Sequence, residues 1–150
     1  MRESHRQEIE RFVRGALGCR CPEGVFRQVE LESATEPGGT GLMTRLVIGH
    51  KLLIYVAVLA TPSQMARQLT ALARRGRRER DERGLNRFRL VLVSYGGAAT
   101  EAGVREALDA MLEGDDRAQV HVVPRSALPT PLLPGSTHPG PTRRSAAAAP

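Results

Sequence analysis

The chain has no tryptophan, three phenylalanines and two tyrosines among 150 residues, which leaves few rings to stack on unpaired bases. Cysteine is scarce as well: Cys19 and Cys21 are the only two, one residue apart. Two thiols at that spacing make no disulfide framework of the kind that braces small secreted domains. No apolar run approaches the roughly 18–20 residues of a bilayer-spanning helix; the longest is Leu52–Ala60. Residues 1–20 are charged and lack the apolar stretch of a secretory signal, so the expected location is cytoplasmic, with no membrane partner. Lysine occurs once, at Lys51, and every other basic residue is arginine. Together with the Ala, Gly and Pro content, that bias points to a GC-rich genome more than to a task.

What is present suits one α/β domain. The sequence is 41% apolar and 25% charged, within the globular range, and long enough to bury a core without staples. Ser4 and Gln7 have capping-box spacing, and Ile9, Phe12, Val13, Ala16 and Leu17 form an amphipathic stripe ending at Gly18. Pro22 favours a first helical position, which predicts a short second helix over 22–28. Strands are expected at 29–33, 43–48, 51–59, 88–95 and 120–123, with a type II′ turn at Gly49-His50. Thr61-Pro62 opens a helix whose core face, Met65, Leu69 and Leu72, ends by Gly76, leaving 77–86 exposed. Thr100 caps a last helix carrying Val104, Ala107, Leu108, Met111 and Leu112.

That order predicts a mixed sheet. An antiparallel hairpin or meander comes first, then a parallel βαβαβ run, with helices on the faces of the sheet. Residues 1–125 are expected to form the single domain. Residues 126–150, rich in Pro and Ala, are expected to be a disordered tail.

The chemically loaded element is Cys19-Arg20-Cys21-Pro22. If Cys21 caps 22–28, helix amides and the nearby Arg20 and Arg27 favour its thiolate. In a reducing compartment Cys19 and Cys21 are expected as thiols, either a catalytic redox pair or metal ligands. A disulfide between them would close a tight and readily reduced ring. Zinc or an iron–sulfur cluster would need a second chain to complete the ligand set, because His5, His50, His121 and His138 have no ligand-like spacing to the pair. The two cysteines also fit as small, half-buried residues in a helix–helix corner.

A second candidate is the crevice at the carboxyl ends of the parallel strands, where open α/β sheets place ligands. Thr61, Ser94, Gly96 and Gly97 would line it, and Arg20 is a further candidate ligand-binding residue. The glycines match neither a dinucleotide fingerprint nor a P-loop. Glu30 and Glu32 share a strand face as solvated charges. His121 reads as an outward or satisfied histidine.

Residues 67–89 carry nine arginines against Glu79, Asp81 and Glu82, a local excess equal to the whole net charge of +6. Arg74, Arg75, Arg77 and Arg78 are the candidate contacts to nucleic acid or an acidic protein. The alternating signs also suit a solvated helix.

Two resemblances follow from these residues. Leu17–Phe26, with Cys19-Arg20-Cys21-Pro22-Glu23, resembles the opening of small prokaryotic proteins that share a Cys-x-Cys-Pro-Glu motif; the resemblance implies no particular activity. The order helix, three-stranded meander, helix, strand is similar to the core of PD-(D/E)XK nucleases. The segment from Arg45 to Ala57 has the shape of their metal-binding hairpin. Their two acids and lysine would fall at Arg45, Tyr55 and Ala57, so the resemblance implies a nuclease-like scaffold without its catalytic groups.

The expectation is therefore a small accessory protein working through Cys19 and Cys21, by redox exchange or by a metal shared in a homodimer. The alternatives are a binding module that uses the 67–89 segment and a purely structural subunit of a protein partner.

Overall fold

The computed structural model describes residues 2–37, 41–94 and 98–135. Helix α1 (Glu3–Gly15) leads through a short 3-10 turn at Glu23–Arg27 into β1 (Val29–Thr35), β2 (Leu42–Ile48) and β3 (Leu52–Val58). Then follow α2 (Pro62–Glu82), β4 (Arg87–Ser94), α3 (Ala98–Met111) and β5 (Ala118–Pro124). The five strands lie in sequence order in one sheet, β1-β2-β3 antiparallel and β3-β4-β5 parallel. The mixed α/β architecture expected from the pattern is the one observed.

Both faces of the sheet are covered, which is why β3 is apolar at every position. On one face, Leu69, Leu72 and Ala73 of α2 and Val104 and Leu108 of α3 pack on Leu53, Tyr55, Phe88, Leu90 and Val120. On the other, Ile9, Phe12 and Val13 of α1, with Leu17 and Phe26, cover Leu46, Ile54, Val91 and Val93. Each such side chain contributes about 2 kcal/mol on leaving water. Among the described residues no helix is long and apolar enough to cross a membrane.

Several local expectations need correction. Helix α1 begins at Glu3 with Arg2 at the cap, so Ser4 lies inside the helix; Glu3 supplies the first-turn acid that the dipole favours. Gly18 does take the left-handed backbone, at φ +68°. The hairpin turn has positive φ at both Gly49 (61°) and His50 (58°), which makes it type I′, the type that matches strand twist. Gly49 is required twice over, since a Cβ there would lie 2.4 Å from Val25 Cγ1. Helix α3 starts at Ala98, placing Thr100 in its first turn, and Ala107 faces solvent. Leu128 and Leu132, beyond the expected domain end at 125, are buried against the α1 face. The domain therefore extends past β5, and residues 136–150 lie outside the described residues.

Helix α2 does not lose its core face at Gly76. It continues to Glu82, because Gly76 lets the helix settle directly on the ring of Phe88 and because Arg80, 3% exposed, is held by Asp115. A Cβ at position 76 would lie 2.1 Å from Phe88 Cζ. Gly76→Ala should cost about 3 kcal/mol by overpacking. Gly103→Ala, where an added Cβ meets nothing within 4 Å, should gain up to about 1 kcal/mol. Denaturant midpoints moving in opposite directions are the check; equal midpoints would contradict this packing.

Candidate functional site

The segment between α1 and β1 is tied down from three sides. Arg89 on β4 donates from Nη1 to the Leu17 carbonyl at 2.9 Å, fixing the end of α1 over the sheet. The Arg14 guanidinium sits 5.0 Å from the centroid of the buried Phe26 ring, joining α1 to the 3-10 turn. Gly49 N donates to the Gln28 carbonyl at 2.7 Å, locking the hairpin turn beneath that same turn. The Lys51 carbonyl accepts from Asn86 N (2.7 Å) and Arg87 N (3.1 Å), which brings the start of β4 beside the hairpin.

These anchors leave a cleft of about 480 Å³ at the amino ends of β3 and β4. Cys19 and Cys21 form one wall, joined as a disulfide with their Cα atoms 5.4 Å apart. Arg20, Lys51, Arg87 and Arg89 contribute four cations, and no acid is among the described side chains that line the cleft. Pro22, Val25 and Leu52 supply an apolar side. Both cysteines are half-buried and rest on the α1-face core.

Two expectations about the cysteines change here. They are bonded to each other, not free thiols. Cys21 also caps no helix: Pro22 occupies the cap of a five-residue 3-10 turn, because the chain must bury Phe26 and enter β1 within a few residues. The local positive potential comes from side chains on other elements instead. Among the described residues there is no group of three His, Cys, Asp or Glu able to hold a metal. Two sulfurs bonded to each other are not ligands, so shared metal ligation would require the reduced pair and a second chain.

Arg89 is half-buried on β4, yet no carboxylate among the described residues pairs with it. Its contacts are the Leu17 carbonyl and His121 Nε2, at 2.9 Å each. Because a guanidinium only donates, His121 accepts through Nε2 and carries its proton on Nδ1. Burial, then the charges of Arg89 and Arg105, push the His121 pKa down to about 4. His121 is thus the satisfied neutral histidine that the strand pattern suggested. The unfolded chain binds its proton near pH 6.5 and the folded one near 4, so stability falls as pH drops through that interval. His121→Gln keeps an acceptor for Arg89 and should flatten the stability profile between pH 6.5 and 5, measured by denaturation at each pH; an unchanged profile would rule this out.

The carboxyl ends of the strands look different. Thr61 follows β3 and is exposed, Ser94 ends β4 and is 4% exposed, and Gly96 and Gly97 lie outside the described residues. Arg20 sits at the opposite end of the strands, about 23 Å away along a seven-residue strand, so the candidate ligand residues do not form one site. A cavity there holds Glu36 and Gln68. Gln68 spans the loop, donating to the Val58 carbonyl and accepting from Ala60 N, at 2.8 Å each. Burial raises the pKa of Glu36 despite its bond from Gln68. That end presents an acid, where an anion site would need cations.

Of the four arginines nominated for nucleic acid, Arg74 and Arg78 are exposed, Arg75 is half-buried, and Arg77 is bound to Asp115 at 2.9 Å. Glu30 and Glu32 are exposed, within 4.0 Å of His50 and 3.7 Å of Arg45 respectively. Where the nuclease resemblance puts acids and a lysine, Arg45 and Tyr55 face each other in register and Ala57 is fully buried. Glu79 of α2 accepts from both Arg45 and Tyr55. Burial pushes the Glu79 carboxyl up, but those two bonds and the Arg45 charge outweigh it, so its pKa lies below the usual carboxylate range. Burial and the Glu79 carboxylate raise the Tyr55 phenol.

Family models, curated proteins and solved structures were compared with the chain, and none matches.

Sequence reasoning found Cys19, Arg20 and Cys21 but missed Lys51, Asn86, Arg87 and Arg89. A signal existed. Arg87 and Arg89 alternate on one face of a strand that is otherwise apolar, and a parallel pairing of β3 with β4 sets Leu52 opposite Arg87.

Proposed function

We propose that this protein carries out thiol–disulfide exchange at Cys19–Cys21. One observation carries the proposal: the bonded pair forms the wall of an open cleft that gathers four cations, with no acid among the described side chains that line it. A purely structural crosslink spanning one residue would have little to brace. A disulfide in a positive cleft, by contrast, has what exchange requires. Incoming thiolates are drawn in, and the departing cysteine thiolate is stabilised.

The step balances with a small thiol as reductant. Its thiolate attacks one sulfur, the Cys19–Cys21 bond breaks, and a mixed disulfide forms as the other cysteine leaves as thiolate. A second small thiol attacks the mixed disulfide, releasing a small-molecule disulfide and leaving both cysteines reduced. Two electrons pass from two thiols to the protein, and the reverse sequence oxidises a dithiol.

The test is turnover. Substoichiometric protein should accelerate the reduction of a small disulfide by dithiothreitol, followed by the absorbance of the released thiol. A rate equal to the protein-free reaction overturns the proposal.

A further inference from the structure

The cleft is better supplied with positive charge than exchange alone requires. Arg20, Lys51, Arg87 and Arg89 line it, and none of the four is within ion-pair distance of a carboxylate among the described residues. The two buried arginines among the described residues, by contrast, each sit on a carboxylate: Arg45 on Glu79 and Arg80 on Asp115. Arg89 is the telling member, because it is half-buried and its two partners are a carbonyl and a neutral imidazole. Its remaining donors, Nε and Nη2, bond to no described residue. Bringing a guanidinium into a partly desolvated cleft without a counter-charge is costly unless an anion completes it.

The cleft's dimensions narrow the class of anion. A volume of about 480 Å³ suits a small molecule. Among the described residues its lining offers no aromatic ring for a base to stack on. Pro22, Val25 and Leu52 give a short hydrocarbon body something to lie against, between the cations and the disulfide.

Resting on the exchange reading, we propose that the reductant is a small thiol whose far end carries two or more negative charges, held by Lys51, Arg87 and Arg89 while its sulfur meets Cys19–Cys21. The charged end is a carboxylate pair or a phosphate, and the reaction it undergoes is the balanced exchange given above.

The test measures how fast the native, oxidised protein is reduced by mercaptosuccinate, phosphopantetheine, uncharged 2-mercaptoethanol and cationic cysteamine, each rate corrected for thiolate fraction. The anionic thiols should outpace 2-mercaptoethanol by about tenfold at low ionic strength, with cysteamine slowest. The advantage should shrink several-fold between 50 mM and 0.5 M salt, where the Debye length falls about threefold and the attraction is screened. Whichever of mercaptosuccinate and phosphopantetheine gains more identifies carboxylate or phosphate as the preferred end. Lys51→Gln with Arg87→Gln should remove most of the advantage. Arg11→Gln with Arg125→Gln, which changes net charge equally at exposed positions outside the cleft, should leave it intact. Equal corrected rates for all four thiols, or equal losses in the two double variants, overturn the proposal while leaving exchange standing.

A second readout does not depend on reactivity. Inorganic phosphate titrated into wild type and into Cys19→Ser/Cys21→Ser should shift the backbone amides of Arg20, Leu52, Arg87 and Arg89 saturably. No saturable shift in either protein overturns the anion site. Saturable shifts together with thiols that fail to react would show that the exchange reading, and not the anion site, had failed.

Discussion

Glu79→Gln is expected to lower the unfolding free energy by about 3–4 kcal/mol, the largest effect of any single polar substitution in the fold. Arg45 is 8% exposed on β2 and Tyr55 is fully buried on β3; both donate to the one carboxylate that α2 brings to the sheet. Taking the charge from Glu79 leaves a buried guanidinium facing a neutral amide, and Glu32, at 3.7 Å and largely exposed, is too well hydrated to replace it. The loss should depend on what is left behind more than on what is removed. Arg45→Met, Tyr55→Phe and Glu79→Met combined remove every group that needs a partner, and should cost less than half as much as Glu79→Gln alone. The folded-state pKa of Glu79 is depressed, so the contribution of its charge is present above the ordinary carboxylate range, near pH 4, and is lost as pH falls through its lower folded value. Guanidinium denaturation of the single and triple variants decides the matter. A triple variant as unstable as Glu79→Gln would mean that the cluster acts through shape alone.

Cys19→Ser/Cys21→Ser is expected to abolish the acceleration of exchange entirely, returning the rate to that of the protein-free reaction, with the fold intact. The crosslink closes a loop of only three residues, and chain entropy credits such a loop with about 1.5 kcal/mol. Leu17 and Phe26 are buried on either side of the pair, and they should hold the segment in place when the sulfurs are not joined. Loss of function should therefore separate from loss of structure. A single Cys19→Ser or Cys21→Ser variant keeps one thiol and should accumulate a mixed disulfide with small thiols, visible as an added mass. A double variant that still accelerates exchange, or one that fails to fold, would contradict this division of labour.

The architecture was largely legible because its signals are local. Alternating and continuous apolar runs marked all five strands, and Thr61-Pro62 sits where the chain does start a helix; Gly18 is left-handed but lies beyond the α1 cap, which falls at Ala16. The misjudged places are those where a distant partner decides. Residues 77–82 look exposed in sequence because they are mostly charged. Arg80 stays helical and buried because Asp115, 35 residues away, neutralises it. Leu128 and Leu132 sit in a Pro-rich stretch, and only the open flank of α1 makes them core.

The site was half legible for the same reason. A Cys-x-Cys element is conspicuous in any chain, and Arg20 comes with it. Lys51 is the one lysine, but nothing nearby in sequence connects it to position 20. Arg87 and Arg89 close a basic stretch whose alternating signs suit a solvated helix; Arg89 falls within the expected strand 88–95, but nothing local shows that β4 pairs with β3 and carries both under the end of α1. The carboxyl-end crevice was a reasonable expectation for a parallel sheet. Here the meander and the α1 extension put the cations at the other end.

The account turns on whether Cys19 and Cys21 exchange electrons in the native protein. The direct measurement counts free thiols on folded protein poised at a series of small-thiol to disulfide ratios, with circular dichroism recorded on the same samples. The account predicts that two thiols per chain appear together and reversibly while the spectrum stays unchanged. Thiols that appear only as the protein unfolds, or that never return to the disulfide, would contradict it.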